Sequence, residues 1–208
     1  MNQFAAVAGA HFLALLSPGP DFFLIAHSSM TTGWRRATGA CAGIAAANAV
    51  FIATAFAGLS ILRPDAIAFT VVQIAGAGFL VYLGIRFLRS AGATSIAVAP
   101  GDETVRTAGG WWKLAATGFA SAALNPKNAL FYAGLAAVLT VGTSRGQLVA
   151  YGMWMFGVVL IWDLLISILI GNRVVLTRFA RALPTLERAS GVALIVLGLG
   201  VLLMAAFR

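Results

Sequence analysis

Six stretches of this chain are each long and apolar enough to cross a bilayer, and that decides most of what it can become. They are Phe4 to about Met30, Ala37–Leu62, Ala66–Ile85, Leu114–Val141, Gln147–Gly171 and Ala189–Phe207. About 20 apolar residues suffice for one helical span. The runs are too long for strands and lack the alternation of a barrel wall. The predicted fold class is therefore all-α integral membrane, with six transmembrane helices. Composition agrees: 61% of the 208 residues are apolar and 10% charged, against roughly 45–50% and 25% in soluble domains. An ordinary soluble enzyme, a disordered tail and a disulfide-rich secreted module are excluded.

Fourteen Lys and Arg against six Asp and Glu give a net charge of +8. No basic run is interleaved with aromatics, so the surplus reads as loop arginines facing anionic lipid, with no nucleic acid as partner. The lone Cys41 rules out an internal disulfide, and no C-x-x-C or His/Cys cluster predicts a metal site. Met1-Asn2-Gln3 carries no positive charge, so the first segment reads as a retained span and not a cleaved signal.

Loops one, three and five carry ten basic residues, among them Arg35, Arg36, Lys113 and Arg188, while the opposite side has Arg63, Arg145 and Arg208. The positive-inside rule then places these three loops in the cytoplasm and both termini outside. Trp34, Trp111 and Trp112 fall at the cytoplasmic interface. The basic, amphipathic stretch Asn172–Arg188 reads equally as a helix on the membrane surface or as a solvated linker.

The loop 86–113 divides a single transporter domain into two sets of three spans, about 1–85 and 114–208. Three is odd, so if the halves are copies the second is inverted in the membrane, as in many secondary transporters. The halves share an unusual feature. Span one contains Ser17-Pro18-Gly19-Pro20-Asp21, and span four contains Asn125-Pro126-Lys127-Asn128. Serine and asparagine are good N-caps and proline suits the first helical turn, so each motif predicts a half-helix beginning inside a span. Counting about 1.5 Å per residue puts both breaks near mid-bilayer. Two half-helix N-termini meeting there form an anion site fit for a carboxylate. The simpler reading is a pair of structural proline kinks.

Three charges lie within the spans: Asp21, Lys127 and Asp163. Charged side chains at that depth usually face a cavity or a partner. Lys127 is poorly placed for the dipole of its own half-helix and needs a carboxylate, from the protein or from a substrate. Asn48, Asn125 and Asn128 add polar groups at similar depth, serving a ligand or interhelical hydrogen bonds. His11 and His27 read as incidental, although histidine can carry a proton. Gly39-x-x-x-Gly43 reads chiefly as close helix packing. Small-residue faces would permit a homodimer without requiring one. No nucleophile elbow, zinc-protease motif or P-loop is present, so no enzyme and no cofactor is predicted, and transport would run on a proton or sodium gradient.

Leu16-Ser17-Pro18-Gly19-Pro20-Asp21, Gly33-Trp34-Arg35-Arg36-Ala37, Gly39-x-x-x-Gly43, Tyr82-Leu83-Gly84 and Leu124-Asn125-Pro126-Lys127 together resemble the LysE/RhtB family of amino-acid exporters, from about Phe4 to Phe207. The resemblance implies six spans, a bacterial inner-membrane protein, and efflux of amino acids or close derivatives such as basic amino acids, threonine, homoserine or homoserine lactone. The expected substrate-binding set is Ser17, Pro18, Gly19, Pro20, Asp21, Asn48, Asn125, Pro126, Lys127 and Asp163. Rival readings are a metal-ion or other small-solute exporter on the same fold, an integral-membrane enzyme or redox carrier, and a non-transporting scaffold.

Overall fold

A computed structural model describes residues 2–16, 19–61, 67–92, 110–138, 143–170 and 173–206. Eight helices run through them: α1 (Asn2–Leu16), α2 (Pro20–Thr32), α3 (Trp34–Ile61), α4 (Ile67–Ser90), α5 (Trp111–Ala123), α6 (Pro126–Val138), α7 (Arg145–Leu169) and α8 (Arg173–Ala206). No strand occurs among the described residues. Helices satisfy every interior backbone group within one segment, which is what lipid demands. Trp34–Gly58, Arg145–Leu169 and Ala180–Leu203 are each long and apolar enough to cross a membrane. The pair Val7–Leu16 and Pro20–Thr32 passes the same test together, bent by 53° at its break. The expected third span falls on α4, and the fourth on α5 and α6.

The helix ends follow their sequence. A single residue, Gly33, separates α2 from α3. Its φ of +85° lies in the left-handed region that favours glycine, and its N–H donates to the Ser29 carbonyl. Ser144 and Gln147 form a reciprocal capping box at the start of α7.

Two boundaries differ from expectation. The Asn172–Arg188 stretch is no separate linker, because α8 runs unbroken from Arg173 through Pro184 into the last span. Buried Leu183, Glu187, Ser190, Gly191 and Leu194 recur at helical spacing. This stripe packs inward, and Ser190 Oγ donates to the Leu13 carbonyl of α1. From Leu183 onward the buried face of α8 therefore meets protein. Likewise α4 continues past Ile85 to Ser90, taking Arg86 and Arg89 into the helix. The Arg63-Pro64-Asp65 turn and residues 93–109 of the long loop lie outside the described residues.

Glycines set the closest helix pairs. A Cβ on Gly39 or Gly43 would run into the carbonyls of Trp111 and Ala115, and one on Gly118 into the carbonyl of Ala40, so α3 and α5 touch backbone to backbone. Gly84 and Gly191 do the same for α4 and α8. The small-residue face of Gly39 and Gly43 is thus used within the chain. Trp111 Nε1 donates to Thr38 Oγ1 at 2.9 Å, which places the starts of α3 and α5 at one end of the molecule.

The core has two apolar clusters. One gathers Val7, Ala10 and Ala14 of α1 with Leu80 and Phe87 of α4, Phe131 and Leu135 of α6 and Leu194 of α8. The other gathers Phe22 and Ile25 of α2 with Cys41 and Ile44 of α3, Ala122 of α5 and Ile166 of α7. The chain passes from one cluster to the other at each helix break, whereas α3 and α7 run through both unbroken.

Candidate functional site

Between the two clusters lies a cavity of about 60 Å³, room for a few waters. Its polar wall comprises His11, Asp21, Asn48, Asn125, Lys127, Asn128, Tyr132 and Asp163. Phe22, Ile25, Ile44, Val159 and Ile166 supply much of the apolar remainder.

The second break is built as its sequence predicts. Asn125 is the N-cap of α6, its Oδ1 accepting from the Lys127 backbone N–H at 3.0 Å, with Pro126 at the first helical position. The first break differs. The cap of α2 is Gly19 and not Ser17, and the helix begins at Pro20. The reason is local: a residue before proline is driven out of the helical region, and Gly19 is extended at φ −136°, ψ −171°. Gly19 has no side chain to cap with, so the α2 N-terminus is open where the α6 N-terminus is closed.

The two breaks bind each other. Asp21, in the first turn of α2, accepts from Ser121 Oγ at 2.8 Å on one oxygen. On the other it accepts from Asn128 Nδ2 at 2.8 Å and Asn125 Nδ2 at 3.4 Å. A carboxylate has about four acceptor positions, and three are taken here. Lys127 reaches the opposite way. Its ammonium donates to the Ala14 carbonyl near the end of α1 at 3.3 Å and lies 5.1 Å from the centre of the Phe87 ring. The carboxylates whose charge acts on it are Asp21 and Glu187. A Cβ on Gly19 would stand 3.8 Å from the Lys127 ammonium. Glycine therefore leaves room between that ammonium and the open helix end.

Asp163, on α7, is the carboxylate that the breaks do not engage. It is buried, and its Oδ2 has no hydrogen-bond partner among the described residues. Asn48, on α3, spends one amide hydrogen on the Ile44 carbonyl.

Of the expected set, Gly19, Asp21, Asn48, Asn125, Lys127 and Asp163 line this one cavity. Pro20 and Pro126 set the helix starts and are exposed. Ser17 and Pro18 lie outside the described residues. Four neighbouring side chains stand outside the expected set. Asn128 reads in the sequence as a polar group serving a ligand or interhelical hydrogen bonds, and Ser121 gives no signal beyond being polar in an apolar run. His11 and Tyr132 form a buried pair, Nε2 to hydroxyl at 3.1 Å. Among the described residues no group of three or more His, Cys, Asp or Glu side chains is gathered as a metal site would need.

The chain matches the LysE type translocator family over residues 12–205. It is 30% identical to the threonine efflux protein of Escherichia coli strain K12 over 152 residues, 73% of this chain and 72% of that protein. The threonine efflux protein of Salmonella typhimurium is also 30% identical, over 157 residues and 74% of each chain. The leucine efflux protein of a Klebsiella pneumoniae strain is 32% identical over 89 residues, 42% of each chain. No solved structure matches significantly. With the family matched across nearly its whole length, this chain is a member of the LysE type translocators.

Proposed function

We propose that the protein is a secondary-active exporter of amino acids or close derivatives across the bacterial inner membrane. Its architecture in this reading is six spans in two inverted repeats, about 1–85 and 114–208, with both termini outside. The observation that carries it is the cavity at the meeting of two broken helices. One wall offers an open helix N-terminus beside an ammonium, and another offers a carboxylate oxygen without a protein partner.

That pairing is complementary to a zwitterion. The substrate carboxylate sits at the start of α2, at Gly19, with Lys127 beside it. The substrate ammonium goes to Asp163, with Asn48 adding a polar contact. Asp21 is left to hold the two breaks together. A basic amino acid would bring a second positive charge, and Asp163 is the carboxylate left to receive the first. The apolar wall of Phe22, Ile25, Ile44 and Ile166 suits a small uncharged side chain. The threonine and leucine efflux relatives support neutral amino acids as the class, with homoserine close to them in chemistry. Alternating access would open the cavity to each side in turn.

The test is counterflow in proteoliposomes with a panel of labelled amino acids, wild type beside Lys127→Ala. Saturable exchange of neutral amino acids, lost in the variant, is the expected result. No exchange of any amino acid by correctly inserted protein would sink the reading.

A further inference from the structure

His11 is buried within α1, ringed by Phe131, Tyr132 and Trp154, with ring centroids 5.8–6.0 Å away. Its Nε2 meets the Tyr132 hydroxyl at 3.1 Å, and its Nδ1 has no hydrogen-bond partner among the described residues. It lines the same cavity as Asp163, whose Oδ2 is equally without a partner there. Two residues that each keep a buried polar atom without a partner, one on a basic ring and one on a carboxyl group, thus line one cavity. Leaving such atoms unsatisfied carries a cost of its own, so an unpaired buried group asks for an explanation.

The titratable groups around His11 come from several elements. Tyr132 and Lys127 belong to α6, Asp163 to α7 and Asp21 to α2, and all four line the cavity. On α8, which carries the Ser190 contact to α1, Glu187 is the buried one. Lys127 is held at Ala14 and Asp21 by its three donors. Tyr132 suits both charge states of the imidazole, since a hydroxyl donates to a bare Nε2 and accepts from a protonated one.

We propose that His11 is the proton carrier that couples export to the proton gradient, exchanging with the substrate ammonium for the single negative charge of Asp163. The inference rests on the amino-acid exporter reading above. With the cavity empty of substrate, a proton entering from outside binds the His11 imidazole, and the imidazolium compensates Asp163. When the substrate ammonium arrives at Asp163 from the cytoplasm, the imidazolium becomes a third cation in a small cavity that Lys127 already borders, which is costly. The imidazolium then gives its proton to cytoplasmic water. One proton moves in for each substrate moved out, and the cavity never holds both.

Three measurements on proteoliposomes containing the full chain decide it, with labelled L-threonine and L-leucine as probes. They are counterflow without a gradient, efflux under an imposed pH gradient, and proton uptake reported by a trapped pH-sensitive dye. Wild type should show all three. His11→Gln keeps a polar side chain but cannot be protonated. It should retain counterflow while losing both acceleration by the pH gradient and proton uptake. Retention of the pH-gradient response in His11→Gln would overturn the proposal. So would loss of its counterflow in an inserted protein, or a wild-type response to a sodium gradient alone. If His11→Gln does not insert, Tyr132→Phe decides. It should shift the pH at which gradient-driven efflux is half-maximal and leave counterflow in place, and an unmoved profile overturns the proposal. Absence of counterflow in wild type would instead remove the exporter reading itself.

Discussion

The ammonium of Lys127 lies 3.3 Å from the carbonyl oxygen of Ala14, joining the start of one interrupted helix to the end of another. In a continuous helix that carbonyl would accept from residue 18, which is a proline and has no N–H to give. Lys127 supplies the donor that Pro18 lacks. A cation is favoured at a helix C-terminus, so the lysine that is badly placed for its own half-helix is well placed for its neighbour's.

Lys127→Ala should therefore do two things at once. It leaves a buried carbonyl short of a donor and should lower stability by about 1–3 kcal/mol, visible as a lower thermal midpoint in detergent. It should also abolish exchange. An unchanged midpoint would mean that Lys127 is not what closes the end of α1.

The two carboxylates should part company. Asp21→Asn sets an amide against the donors of Ser121, Asn125 and Asn128, so at least one bond is lost and stability should fall by about 1–3 kcal/mol. Asp163→Asn replaces a buried carboxyl group that has an unpartnered oxygen, so its thermal midpoint should hold or rise while exchange is lost. Equal midpoints for the two variants would contradict this division of labour.

Gly43→Val should fail to yield folded protein, because its side chain meets the Ala115 backbone and cannot be relieved by a rotamer change. Gly78→Val is the control, since a Cβ there has nothing within 4 Å. Yield and size-exclusion profile of the two variants check the contrast. A monodisperse Gly43→Val protein would refute the backbone contact.

Orientation can be read with thiols, since Cys41 is buried and gives a low background. Gly146→Cys, at the start of α7, should be labelled by a membrane-impermeant maleimide added to intact cells. Arg178→Cys, in the first turns of α8, should be labelled after permeabilisation only. The reverse pattern would invert the topology argued from the basic loops.

Local chemistry made much of the site legible. Asn-Pro-Lys announced a capped helix start, and the structure has it at the residue expected. The tandem prolines around Gly19 were less decisive, because either can open a helix. The sequence offers Ser17 as a natural cap, while the backbone restriction imposed by Pro20 puts the start two residues later. The pairing of His11 with Tyr132 was out of reach for another reason. They stand 121 positions apart, and each alone looks like an occasional polar residue in an apolar run. Glu187 was hidden by its neighbours: among arginines it reads as part of a wet linker. Only the path of α8 turns it inward.

The glycine contacts also fix what can move as a unit. Where α3 meets α5, and where α4 meets α8, no layer of side chains separates the backbones, so neither helix of a pair can slide without collision. Each pair is mechanically one strut. The α4–α8 strut belongs to one apolar cluster, the α3–α5 strut leans on the other, and each takes one helix from either half of the chain. Order along the sequence is thus a poor guide to the rigid parts of this molecule. A label on α4 and one on α8 should keep their separation while the cavity changes sides, although 82 residues lie between Ser90 and the start of α8.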